Sequence, residues 1–243
     1  MAMQRLLQVI YPDHCLSCGA VSGSEGGLCA DCWRDTAFIN GLVCDTCGAP
    51  LPGDDDPDKA PTLTCDDCLR IARPWSRGRS ALLYRGNGRR IVLALKGSDR
   101  ADLAQSVAPW LARAAAPIYE PGMLISPVPL HWIRLFKRRY NQSALLARAL
   151  ANELGAPSCP DLLQRTRATP RQEGLGAQAR FANMAEAIRP HPKRRHRMAA
   201  RKVMLVDDVM TSGATLAACA DACLASGAAE VRVLTLARTV KDA

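Results

Sequence analysis

The chain has 243 residues, 48% of them hydrophobic but only 5% aromatic, and carries a formal net charge of +9. That length fits one substantial core plus a small accessory module, and so few aromatics imply a core built from Leu, Val, Ile and Ala. No run of about 18 apolar residues occurs, so no membrane span is expected. The opening Met1–Ile10 runs into Pro12, Asp13, His14 and Cys15 without a long apolar region or cleavage site, so no signal peptide is expected and the cytoplasm is the expected compartment.

The first part of the chain, residues 1–72, is a cysteine-rich module. Eight of the eleven cysteines form four CxxC pairs: Cys15/Cys18, Cys29/Cys32, Cys44/Cys47 and Cys65/Cys68. In a cytosolic chain such pairs read as metal ligands rather than disulfides. Each pair wraps two thiolates onto one ion, and a tetrahedral site needs two pairs, so two structural Zn²⁺ sites are expected with all four positions filled by sulfur. Sequential pairing, first with second and third with fourth, is the expected arrangement, and an interleaved one stays open. Eight thiolates around two Zn²⁺ would lower the net charge yet leave the chain basic, so a polyanionic or phosphorylated partner and an ordinary solvated surface both remain open. The stretch from Pro50 to Pro61, with Asp54, Asp55, Asp56 and Asp58, reads as an acidic surface loop between knuckles.

From residue 73 to 243 the texture is that of an α/β domain. Ser80–Tyr84 reads as a strand and Gly88–Leu95 as a short helix. Leu103–Ala115 reads as a second helix, kinked at Pro109. Met123–Val128 is a short apolar strand that enters a loop, and Asn141–Leu154 is a helix stopped by Gly155. A helix is expected at about 171–184, and the Pro-bounded Arg189–Arg197 tract reads as a loop. Val203–Val206 is a buried strand, Gly213–Ser226 a helix and Val231–Leu236 the next strand. That succession is a βαβ unit with a parallel sheet.

The segment Val206–Thr215 carries the chemistry. Apolar residues deliver Asp207 and Asp208 to the carboxyl end of a strand, where open α/β sheets place their ligands. Thr211-Ser212-Gly213-Ala214-Thr215 then makes a small-residue turn into a helix, whose backbone N–H groups and dipole favour an anion. An ordinary N-cap would explain Thr211 or Ser212 alone, but not the tandem acids and the second Thr. A phosphate on the turn and a vicinal diol on the carboxylates describe ribose 5-phosphate.

Here the chain resembles the fingerprint of type I phosphoribosyltransferases, and more narrowly the ComF family. The likeness extends through the CxxC knuckles, Leu95-Lys96-Gly97, Pro127-Val128-Pro129-Leu130, Arg139-Tyr140-Asn141-Gln142-Ser143, Arg165–Gln172 and the Val206–Thr215 string. It departs from the family at Arg139-Tyr140, where Arg-Gly-Phe is usual. The resemblance implies a double zinc ribbon (residues 1–72) ahead of a parallel-sheet phosphoribosyltransferase-like domain (73–243). It also implies phosphoribosyl pyrophosphate (PRPP) with Mg²⁺ as ligand, bound by Asp207, Asp208, Val209, Met210, Thr211, Ser212, Gly213, Ala214, Thr215, Asn141 and Lys96. Asp207, Asp208 and Arg139 are the candidate catalytic residues. The Pro127–Asn141 segment, with Arg134, Lys137, Arg138 and Arg139, should approach the pyrophosphate. Solvated basic side chains explain Lys137 and Arg138 equally well, and a helix dipole contact explains Lys96 nearly as well.

No C-terminal hood is expected beyond Val231–Leu236, and Phe181 is the only aromatic residue after Tyr140, which weakens the case for an ordinary nucleobase salvage enzyme. Three functions follow. The resemblance favours a PRPP-binding protein that handles internalised single-stranded DNA in natural transformation, alongside a DNA-uptake ATPase or helicase. The alternative is a Mg²⁺-dependent phosphoribosyltransferase with an unknown acceptor in nucleotide metabolism. A zinc-ribbon adaptor is the third. For DNA, Lys137, Arg138, Arg194, Arg195 and Arg197 are the candidate contacts, and aromatic stacking is expected to contribute little.

Overall fold

The computed structural model describes residues 14–22, 27–53, 62–97, 101–167 and 187–240, apart from the side chains of Arg134, Lys137 and Arg138. The helix expected at about 171–184 and most of the acidic stretch lie outside the described residues. In chain order the elements are α1 (Ala30–Arg34), α2 (Asp66–Arg70), β1 (Arg77–Leu83), α3 (Gly86–Leu95), α4 (Leu103–Ser106), α5 (Ala108–Ala115), β2 (Leu124–Pro127), α6 (Trp132–Arg138) and α7 (Gln142–Leu154). They continue with β3 (Leu163–Arg165), β4 (Ile188–Pro190), a 3₁₀ turn (Arg195–Met198), β5 (Lys202–Met210), α8 (Ala214–Leu224) and β6 (Glu230–Arg238).

Four strands form one parallel sheet in the order β1-β6-β5-β2. A parallel sheet is covered on both faces, which is why the middle of β5, Val203–Val206, is a continuous buried apolar run. Met204, Val206, Leu234 and Leu236 pack on one face with Ile91, Leu111, Leu146 and Leu150 from α3, α5 and α7. Val203, Leu205, Val231 and Val233 pack on the other with Leu216, Ala220 and Cys223 of α8. The β5–α8–β6 succession is the βαβ unit read from the sequence.

Some elements differ from the sequence reading. The helix across Leu103–Ala115 is broken at Val107 instead of bent. Pro109 sits in the first turn of α5, where its missing N–H costs nothing. The expected loop at 189–197 is part strand and part 3₁₀ turn, because β4 pairs with β3 in a small antiparallel sheet. The expected loop before Asn141 contains the helix α6, capped by His131, whose Nδ1 accepts from the Ile133 N–H.

The cysteine module closes the free edge of the sheet. Phe38 bridges Leu82, Ile39 N–H donates to Ala81 C=O, and Leu83 N–H donates to Ala37 C=O. Lower on the same strand, Gly78 N–H donates to Asp45 C=O. A side chain at Gly78 would place its Cβ 2.6 Å from the Thr46 carbonyl oxygen, so only glycine lets the knuckle approach β1. An edge strand with unpaired backbone invites aggregation, and here the ribbon pairs it.

The sulfurs gather as Cys15, Cys18, Cys29 and Cys32 in one group and Cys44, Cys47, Cys65 and Cys68 in another, so the pairing is sequential. Cys15 and Cys32 pack with the first face of the sheet, Cys44 and Cys47 with the second. Cys18 and Cys29 Sγ are 3.8 Å apart, and Cys47 and Cys65 Sγ 3.6 Å. Sulfurs about 2.3 Å from a tetrahedral Zn²⁺ stand roughly 3.8 Å from one another, so the donor sets fit the ion. In the second group the thiols compete for one charge: hydrogen bonding from Cys47 holds Cys44 far below the usual thiol range, and Cys44 in turn pushes Cys47 up. A divalent cation resolves that competition by taking all four as thiolates. Metal analysis of purified protein should find about two Zn²⁺ per chain, and chelation should unfold the ribbon. A metal-free protein with its ribbon intact would contradict this.

Candidate functional site

β5 runs four residues beyond the stretch Val203–Val206 read from the sequence, so Asp207 and Asp208 lie within the strand. Adjacent strand residues point to opposite sides, and each carboxylate is collected by a different element. Asp207 Oδ1 accepts from Ser143 Oγ at 2.7 Å, in the first turn of α7, and from the Asp208 N–H at 2.9 Å. Asp208 Oδ2 lies 3.2 Å from Lys96 Nζ, at the C-terminal cap of α3. Burial, and then the neighbouring Asp208 charge, raise the Asp207 pKa to about 7.

After Met210 the chain turns. Val209 and Met210 complete β5; Met210 is buried, with its sulfur accepting from Arg238 Nη1 at 2.6 Å. Their side chains belong to the core, and only their backbone leads into the turn. Thr211 is exposed, and the Ser212 carbonyl accepts from Arg73 Nη1 at 2.7 Å. Gly213 takes φ of +78° at the N-cap of α8, a left-handed conformation that suits glycine. No side chain caps α8. Ala214 N–H makes only a 3.4 Å contact with Ser212 Oγ, and Thr215 stands half-exposed on the first turn. The result is a helix N-terminus of eleven residues that begins one short turn after two carboxylates.

The other sequence candidates flank this pair. Asn141 is the N-cap of α7. Its Oδ1 accepts from the Ser143 N–H and its Nδ2 donates to Val128 C=O at 3.0 Å, so its amide holds backbone on both sides. Arg139 is exposed, with φ of +63° at the end of α6. The departure at Tyr140 has a physical use: its hydroxyl faces the carbonyls of Leu95, at 3.0 Å, and Gly97. It thereby ties the α6–α7 junction to the loop that carries Lys96. The Arg194–Arg197 tract joins β4 to the amino end of β5, and Arg194 Nε is paired with Asp161 Oδ2 at 2.9 Å. The site sits at the opposite, carboxyl end of that strand.

Three features escaped the sequence reading. Ser143 stands in a motif already singled out, yet nothing marked its hydroxyl as the Asp207 partner. Arg73 lies between the knuckles and β1 without any motif. α6 exposes Trp132 (69%) and Phe136 (86%) four residues apart, and residues at that spacing share one helix face. Low aromatic content had argued against stacking, but the few aromatics are not all in the core. Among the described residues, the side-chain groups able to hold a metal are the two cysteine tetrads.

Comparison with known proteins agrees with this anatomy. Residues 6–69 match the double zinc ribbon domain, and residues 141–242 match the phosphoribosyl transferase domain. The chain is 33% identical over 223 residues to the DNA utilization protein YhgH of Salmonella typhimurium, covering 89% of this chain and 92% of that one. It is 27% identical over 231 residues to Competence protein F of Haemophilus influenzae, covering 93% and 96%. A solved glutamine PRPP amidotransferase from B. subtilis aligns at 20% identity with a TM-score of 0.37, over 61% of this chain and 27% of that enzyme. With a sequentially paired double zinc ribbon seated on a phosphoribosyl transferase sheet, and relatives of matching length, the chain belongs to the ComF family.

Proposed function

We propose that the chain binds PRPP with Mg²⁺ at the Asp207–Thr215 segment and works on single-stranded DNA during its uptake or utilisation. The observation that carries the first half is the juxtaposition of two separately held carboxylates with an uncapped helix N-terminus one turn away. The 5-phosphate lies on the N–H groups of the turn and the first turn of α8. The ribose hydroxyls donate to Asp207 and Asp208. Mg²⁺ would come with the diphosphate and screen its charge, as suits an ion bound through ligand phosphates instead of a dedicated protein cage. Lys96, already the counter-ion of Asp208, offers its ammonium to the diphosphate. Arg139, exposed beside Tyr140 at the α6–α7 junction, offers a second cation.

The names of the relatives, DNA utilization protein and competence protein, support the second half. So does α6, which lies between β2 and α7 at the carboxyl end of the sheet. Its sequence interleaves Trp132 and Phe136 with Arg134, Lys137 and Arg138, the combination of ring faces and cations that single strands require. The Arg194–Arg197 tract, at the amino end of β5, is the weaker candidate.

Three outcomes are expected. Replacing both Asp207 and Asp208 by Ala should leave the fold intact and lower PRPP–Mg²⁺ affinity by about 100-fold or more in calorimetric titration, since each hydrogen bond to a charged acceptor contributes roughly 1.5–3 kcal/mol. Unchanged affinity in a folded variant would contradict the site.

The Asp207 pKa near 7 has two consequences of opposite sign. Folded Asp207 holds its proton to higher pH than in the unfolded chain, so stability declines as pH rises from about 4 to 7. A diol needs the carboxylate, so PRPP–Mg²⁺ affinity should rise as pH passes upward through about 7, and Asp207→Asn should flatten that dependence. An identical pH profile in Asp207→Asn would exclude Asp207 as the titrating group.

Trp132→Ala with Phe136→Ala should weaken binding of an oligothymidylate by about 10-fold or more, because stacking contributes roughly 1–3 kcal/mol per base. In an anisotropy titration the loss should exceed that from replacing Arg194, Arg195 and Arg197. The reverse ranking would move the DNA surface away from α6.

A further inference from the structure

The turn that begins α8 is held from behind by the cysteine module. Arg73, just after the second tetrad, donates from Nη1 to the Ser212 carbonyl at 2.7 Å. A trans peptide is planar, with its C=O and N–H antiparallel. Fixing the Ser212 oxygen on Arg73 therefore turns the Gly213 N–H to the opposite side. If that peptide flipped, a carbonyl oxygen would face the anion in place of a donor.

Arg73 is itself held in place. Its guanidinium lies 5.5 Å from the centre of the Trp75 ring, and in the chain Arg73 follows Cys68 of the second tetrad by five residues. Trp75 is buried, and its Nε1 donates to Thr46 C=O at 2.5 Å, inside the Cys44/Cys47 knuckle. The back of Gly213 closes against the same two side chains: a Cβ there would meet Trp75 Cη2 at 3.0 Å and Arg73 Nη1 at 3.1 Å. Four thiolates around one divalent ion carry excess negative charge, which draws a guanidinium to the cluster. Arg73 and Trp75 thus join the Cys44/Cys47 knuckle to the turn. The first tetrad packs with the opposite face of the sheet.

We propose that Arg73 is a positioning residue for the Ser212–Gly213 peptide, and that the second tetrad, through Arg73 and Trp75, sets the affinity of the turn for a phosphate monoester. The proposal rests on reading residues 211–215 as the phosphate turn. It gives the ribbon a part in ligand binding beyond covering an edge strand: loss of metal from the second site loosens Arg73 and frees the Ser212–Gly213 peptide to turn.

The test uses the full chain and the variants Arg73→Met and Arg73→Lys, with zinc content, ribose 5-phosphate affinity by calorimetry, and amide hydrogen exchange of residues 211–215. The expected Arg73→Met protein keeps about two Zn²⁺ per chain, binds ribose 5-phosphate about 10-fold or more weakly, and exchanges faster across 211–215. Arg73→Lys, which keeps a donor without the planar fork, should fall between. An Arg73→Met protein with parental affinity and parental exchange would overturn the proposal. If the parent itself does not bind ribose 5-phosphate, the phosphate reading fails, and exchange at 211–215 still decides whether Arg73 positions the turn. Replacing Cys65 by Ala should reproduce the Arg73→Met effect, whereas replacing Cys18 by Ala should not; equal losses from both would overturn the link to the second tetrad.

Discussion

The structure depends on keeping two adjacent carboxylates at the end of a buried strand. Side by side in a low-dielectric setting, Asp207 and Asp208 repel one another, and the strain is divided unequally. Asp208 is neutralised by Lys96 from α3. Asp207 receives a hydroxyl from α7 and holds its proton to about neutrality. The helices α3 and α7 are thereby tied at their site-facing ends to the acids they serve. Tyr140 locks the same two regions together by facing the carbonyls on either side of Lys96. Such an arrangement is costly to keep in an unliganded protein, and it suits a ligand that brings hydroxyl donors and a cation of its own.

The double ribbon meets the sheet at its β1 edge. One tetrad packs on each face of the edge strand β1, so the metal sites are wedged into the core of the transferase-like part and not appended to it. Backbone pairing at Ala37, Ile39 and Asp45 extends the sheet into the ribbon. The glycine at 78 exists for that contact, as the one at 213 exists for the contact between turn, Trp75 and Arg73. The chain's small size makes this economical: a four-stranded sheet gains a covered edge and a braced turn at the start of α8 from the same module.

Much of this was legible in the sequence where chemistry repeats at fixed spacing. The four CxxC pairs gave two tetrads, with the choice between sequential and interleaved pairing left to the structure, and the Val206–Thr215 string gave strand, acids and helix start. The Asn141 cap and Gly155 stop of α7 were visible because caps follow local rules. What stayed hidden was set by tertiary contacts. β3 and β4 are three residues each and become strands only by pairing with one another. α6 is a seven-residue helix with two aromatics facing solvent, so no amphipathic pattern announced it. Ser143 acquires its role from Asp207, 64 residues away, and Lys96, a candidate from its motif, gains in the structure an ion pair with Asp208, 112 residues away, that the motif did not show. Arg73 is separated from Ser212 by 139 residues, and no local rule connects them.

The central claim is that the Asp207–Thr215 segment is a ribose 5-phosphate site, and a crystal structure of the protein with PRPP and Mg²⁺ bound tests it most directly. The 5-phosphate should sit on the backbone of residues 211–215 and the ribose hydroxyls on Asp207 and Asp208, with the Ser212 carbonyl still turned toward Arg73. A ligand bound elsewhere, or bound here with its diphosphate on the turn and its sugar away from the two carboxylates, would contradict it.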